Sequence, residues 1–128
     1  MDSSPLDELI AGCGYPGTLG AHPLAPVRLA SFLAQMSREE FCNDFSRRVA
    51  EEYASGRMSF EIADAAMNRL WEYAGIGEEN FIPPFSERVF EAFDAGEYWH
   101  SEDPPGTDPE LKYTRPWIEE LVANGECT

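Results

Sequence analysis

Carboxylates are the residues of this chain whose number and spacing could do chemistry. Glu87, Glu91 and Asp94 follow the i, i+4, i+7 spacing that stacks three acids along one helical face, opposite Val89 and Phe93. Residues 93–110 then read FDAGEYWHSEDPPGTDPE, without lysine or arginine, and set Tyr98 and Trp99 among Glu97, Glu102 and Asp103. From Glu72 to Leu111 there are eleven acids against the single base Arg88, a local charge of −10 within the −15 of the 128-residue chain. Grouped carboxylates can hold a cation or move protons; acids ringing aromatic anchors can instead steer and pair with a basic protein.

Local stability does not account for the arrangement. Like charges at i, i+4 destabilise a helix by a few tenths of a kcal/mol, and Arg88 offsets only part of this. Acids late in a helix also oppose its macrodipole, and Asp94 and Glu97 stand where a base would be more comfortable. Residues 38–57, by contrast, are nearly balanced, with Arg38, Arg47, Arg48 and Arg57 against Glu39, Glu40, Asp44, Glu51 and Glu52. Charge serving solubility alone has less reason to cluster, although a plain solvated face is the alternative.

Catalytic and metal patterns are weak by comparison. His100 with Asp94, Glu97, Glu102 and Asp103 matches neither an EF-hand loop nor His-Glu-x-x-His, so a solvated loop histidine is expected and no metal. His22 stands beside Pro23 with no partner in view. There is no Gly-x-Ser-x-Gly elbow, and GCGYPGTLG lacks the lysine and hydroxyl residue of a phosphate-binding loop. Adjacent acids such as Glu78 and Glu79 follow from composition. No cofactor and no catalytic residue is expected, and the chain reads as a binding protein rather than an enzyme.

Composition bounds the class. The length suits one domain, and with 43% hydrophobic and 12% aromatic residues a packed core is expected beneath the acidic surface. The net charge disfavours nucleic acid and anionic membranes as direct partners and favours basic proteins. Cys13, Cys42 and Cys127 are odd in number and widely spaced, which suits neither a disulfide framework nor a zinc site; Cys42 is expected to pack on a helix. The first residues carry Asp2, Asp7 and Glu8 and no base before Arg28, so no secretory signal is expected and the cytoplasm is the default location.

The elements that must position the acids read as all-α. SPLDELIA over 4–11 suits a short helix capped by Ser4 and stopped by Gly12 and Gly14, and GCGYPGTLGAHPLAP over 12–26 a loop. Pro26 could open a helix through VRLASFLAQM. Ser37 and Glu40 form a capping box, and Phe41, Phe45, Val49 and Tyr53 then recur every four residues, predicting a helix over 38–54 stopped by Gly56. Ser59 can cap a second helix with Ile62, Ala66, Met67, Leu70, Trp71 and Ala74 inward, ended by Gly75; the short SGRM link makes the two a hairpin. Pro84 or its neighbour starts a third helix with Phe85, Val89, Phe90 and Phe93 for the core, ending at Gly96. After a loop over 97–109, the last helix begins at Asp108-Pro109 or at Thr114–Pro116. It carries Trp117, Ile118, Leu121 and Val122 and closes at Asn124-Gly125. The expectation is a small antiparallel bundle of four to five helices over 37–125, with a loop-rich extension over 1–36, as one domain. Tyr113 and Trp117 belong to its core; Tyr98 and Trp99 either anchor a partner or fold back over the bundle.

With the helices placed, YASGRMSFEIADAAMNRLW, FSERVFEAFDAGEY and DPELKYTRPWIEELV give an order of features that resembles the colicin D immunity-type family of small acidic helical proteins. The resemblance covers residues 45–122 and leaves the first 40 without a counterpart. It implies an immunity or antitoxin-like inhibitor that binds a basic toxin enzyme, a nuclease, and shields its active site with carboxylates. The implied contact acids are Glu87, Glu91, Asp94, Glu97, Glu102 and Asp103. Two alternatives stay open: a nucleic-acid mimic such as an anti-defence inhibitor, and a non-catalytic adaptor subunit that is acidic for solubility.

Overall fold

The computed structural model describes Ile10, residues 32–74 and residues 81–124. The expected helix over 4–11 apart from Ile10, the loop over 12–26, the start at Pro26, the stops at Gly75 and Gly125, and Cys13, His22 and Cys127 lie outside the described residues. Those residues form four α-helices: α1 (Arg38–Ala54), α2 (Phe60–Ala74), α3 (Pro84–Ala95) and α4 (Arg115–Asn124), with a π-helical turn Glu110–Thr114 leading into α4. Among the described residues there is no strand, and no helix is long and apolar enough to cross a membrane.

Local signals set α1. The Ser37 hydroxyl accepts from the Glu40 amide at 3.1 Å and the Glu40 carboxylate accepts from the Ser37 amide at 2.9 Å, so two orphan donors are satisfied reciprocally. Phe41, Phe45, Val49 and Tyr53 are at most 1% exposed, and burying each such side chain contributes roughly 1.5–3 kcal/mol. Gly56, at φ +84°, makes the left-handed step that ends α1. The Ser59 hydroxyl then accepts from the Ile62 amide at 3.3 Å and opens α2 after a short link.

α1 packs on α2, α3 and α4, while α3 also packs on α2 and α4, so α1 and α3 are the central pair flanked by the other two helices. Aromatic rings form the seams. Phe93 of α3 meets Tyr53 at 5.1 Å and Phe60 at 6.0 Å, and Trp71 stacks on Phe90 at 4.4 Å with the rings 12° from parallel. Cys42 is buried in α1, where desolvation pushes its thiol up to about 12. Ile10, far upstream in the chain, is 1% exposed and belongs to the same core.

Two expectations need correcting. Ile62 points outward at 38% exposed, because the inward stripe of α2 is Ala63, Ala66, Met67, Leu70 and Ala74, and Ile62 is turned about 100° away from Ala63. Trp71 and Phe90 are half-buried flank residues, packed on each other rather than at the centre. Both starts offered for the last helix are present: a π-helical turn begins after Asp108-Pro109, where the Asp108 carboxylate accepts from the Glu110 amide at 3.0 Å, and the α-helical part, α4, begins at Arg115, within Thr114–Pro116. The π turn has a local cause. Pro116 has no N–H for the Lys112 carbonyl and its ring crowds that carbonyl, which the wider turn ahead of it accommodates.

Candidate functional site

The third helix and the loop after it carry the acids. α3 turns Phe85, Ser86, Val89, Ala92 and Phe93 inward, which leaves Glu87, Glu91 and Asp94 exposed on its outer side. Glu97, Tyr98, Trp99 and Glu102 continue this exposed surface into the loop. Both aromatic rings are half-open to solvent, Tyr98 at 53% and Trp99 at 49%, so the fold does not draw them into its core.

The loop is nevertheless firmly built. Its anchor is Gly96, whose φ of −87° any residue could adopt. Glycine is needed there for space, since a Cβ would run into the hydroxyl of Thr114, itself buried and donating to the Ala92 carbonyl at 2.6 Å. Pro104–Thr107 forms a β-turn closed by the Thr107 amide on the Pro104 carbonyl at 3.2 Å, with Gly106 at φ +89° in the position that requires a positive angle. The Pro104 carbonyl also accepts the indole N–H of Trp99 at 3.3 Å.

His100 and Asp103 depart from the sequence reading. His100 is half-buried rather than solvated: Nε2 donates to the Ala95 carbonyl at 2.8 Å, and the ring lies between Tyr98 at 4.4 Å and Tyr113 at 4.3 Å. Asp103, expected among the contact acids, is 6% exposed with both carboxylate oxygens engaged. Lys112 holds Oδ1, and the Tyr113 hydroxyl donates to Oδ2 at 2.7 Å. The Lys112 hydrogen bond, then that of Tyr113, hold this carboxyl below its ordinary range. Asp103 is therefore an internal brace between the loop and the π turn. Its partners are nine and ten residues on, where hydropathy patterning along a helix carries no information.

One acid of this region was not anticipated. Asp64 of α2 meets Glu97 and Asp94 at the end of α3, and Asn68, one turn further along α2, donates to Glu97 Oε2 at 3.4 Å. Burial, then a hydrogen bond to Glu97, then the charges of Glu97 and Asp94 push the Asp64 carboxyl up to about 8. Asp94 is raised as well, by burial and by Glu97. The available hint was a side stripe on α2, Phe60, Asp64, Asn68 and Trp71 at helical spacing, whose outer members meet α3 at Phe93 and Phe90.

Chemically, the surface can present negative charge and aromatic faces. Among the described residues no group of three or more His, Cys, Asp or Glu side chains is arranged to hold a metal ion. The Nε2 of His100 is taken up by the backbone carbonyl of Ala95. The chain matches no protein-family model, no curated protein and no solved structure.

Proposed function

We propose that this chain is an immunity or antitoxin-like inhibitor that binds a basic toxin enzyme, a nuclease in the form implied by the resemblance to colicin D immunity-type proteins, and covers its active site. The observation that carries the reading is the exposed run of Glu87, Glu91, Asp94, Glu97 and Glu102 around two half-open aromatic rings. Long-range attraction from such a surface speeds encounter, and carboxylates desolvated against arginine or lysine slow release. The rings supply the buried area that charge alone lacks. On this reading the chain performs no catalysis, uses no cofactor and acts in the cytoplasm.

Affinity capture tests it. The tagged protein is immobilised, lysate of its source is passed over it at low ionic strength, and bound material is eluted in salt steps for mass spectrometry. One basic protein released late at near one-to-one stoichiometry, with an enzymatic activity that the chain suppresses, is the expected outcome. Many basic proteins leaving together at modest salt would refute the inhibitor reading and favour an adaptor that is acidic for solubility. Suppression of several unrelated nucleic-acid-binding proteins would point to mimicry of nucleic acid instead. With the partner in hand, Glu91→Lys with Asp94→Lys is expected to weaken binding at least about tenfold without unfolding, since both acids lie outside the core.

A further inference from the structure

We infer that the Tyr98–Trp99 loop is a docking surface for an arginine side chain of the partner, with the guanidinium flat on the open Trp99 face and paired with Glu97 or Glu102. This rests on the proposal that the acidic surface meets a basic protein, and it goes further by naming the cation and the groups that recognise it.

Elsewhere the chain already sets guanidinium groups against aromatic rings. The Arg115 guanidinium lies 4.9 Å from the ring centre of Tyr53, whose hydroxyl donates to Glu110 at 2.6 Å, so cation, ring and carboxylate form one unit. Arg38 sits 4.2 Å over the Phe81 ring. Both distances fall within the about 6 Å over which a ring quadrupole attracts a cation. Trp99 offers a half-open ring with acids close by in sequence, and its own segment supplies no cation. Residues 89–111 contain neither lysine nor arginine, and Lys112 is engaged by Asp103.

Geometry selects the face of Trp99. Its N–H is used by the Pro104 carbonyl, so the ring has no donor left to offer a partner, while about half of its surface stays open. Tyr98 packs against His100, and His100 against Tyr113. Glu97 and Glu102 flank the two rings in the loop. A planar, weakly hydrated guanidinium can stack on an indole and bond a carboxylate with two parallel N–H groups at once; a lysine ammonium is a strongly hydrated point charge that can do only part of this.

The test uses the folded full-length chain and two probes of equal charge, an octa-arginine and an octa-lysine peptide, titrated by calorimetry at near-physiological salt. The arginine peptide is expected to bind about five-fold more tightly, and Trp99→Leu, which keeps an apolar side chain and removes the aromatic face, is expected to bring the two affinities within about two-fold. Should Trp99→Leu fail to fold by circular dichroism, Glu97→Gln with Glu102→Gln serves in its place and is expected to narrow the preference similarly. Equal affinities in the wild type, a preference that survives in the folded variants, or no binding of either peptide would each overturn the inference. Glu91→Lys with Asp94→Lys is expected to weaken both peptides alike and leave the preference intact. Failure of lysate capture despite a Trp99-dependent arginine preference would refute the toxin-inhibitor reading and leave this docking contact standing.

Discussion

Replacing Asp64 by asparagine is expected to make the protein more stable at alkaline pH and to remove part of its pH dependence. In the fold, burial and the neighbouring Glu97 and Asp94 push the Asp64 carboxyl up to about 8. A folded state with a raised carboxyl pKa binds more protons than the unfolded chain, so the associated stability is complete below about pH 4 and is lost as pH rises toward 8. At about 1.4 kcal/mol for each pH unit between the ordinary value of 3.8 and about 8, the ceiling is about 6 kcal/mol. Asp64 is only partly buried and solvent screens the repulsion, which brings the expected effect to about 1–2 kcal/mol. The assay is urea unfolding of the wild type and Asp64→Asn at about pH 5 and about pH 9, comparing the difference between the two proteins so that the other carboxylates cancel. Near-equal stability at the lower pH and an advantage of about 1–2 kcal/mol for the variant at the higher pH are expected. A gap that does not change with pH, or a wild type favoured at alkaline pH, would refute the reasoning.

Other perturbations probe the frame that holds the surface. Gly96→Ala forces a methyl group against the pinned Thr114 hydroxyl and is expected to destabilise by about 1–3 kcal/mol; in that background Thr114→Ala should do less harm than in the wild type, a coupling that a double-mutant cycle by chemical denaturation reads directly. Ser37→Ala removes the acceptor for the Glu40 amide and is expected to lower stability by about 1 kcal/mol in the same assay. Cys42, fully buried with its thiol held near 12, is expected to resist iodoacetamide in the native protein and to react once unfolded in denaturant, as followed by peptide mass mapping.

The all-α architecture, α1 with its capping box, the start of α3 at Pro84 and the acidic outer side of α3 were all readable in the sequence. Each depends on residues within one or two helical turns of one another, where side-chain period and backbone capping act directly. The inward stripe of α2 was read nearly right, and Ile62 was misplaced because a hydrophobic residue at a stripe's edge does not reveal which flank a neighbouring helix covers. Tyr98 and Trp99 could be singled out as aromatic, whereas their exposure depended on how residues 96–108 fold back.

Only the tertiary structure decided which acids outside α3 are enclosed. Asp103 is enclosed because Lys112 and Tyr113 return to it, and His100 is half-buried because Tyr98 and Tyr113 pack against its ring. Asp64 joins Glu97, 33 positions further along the chain, because α2 packs beside the end of α3. The sequence by itself determined the helices, the centres of their inward stripes and the sign of the surface, since propensity, period and charge are carried by each segment alone. Pairing, burial and protonation of individual carboxylates arise from contacts between segments, and those exist only once the helices have packed.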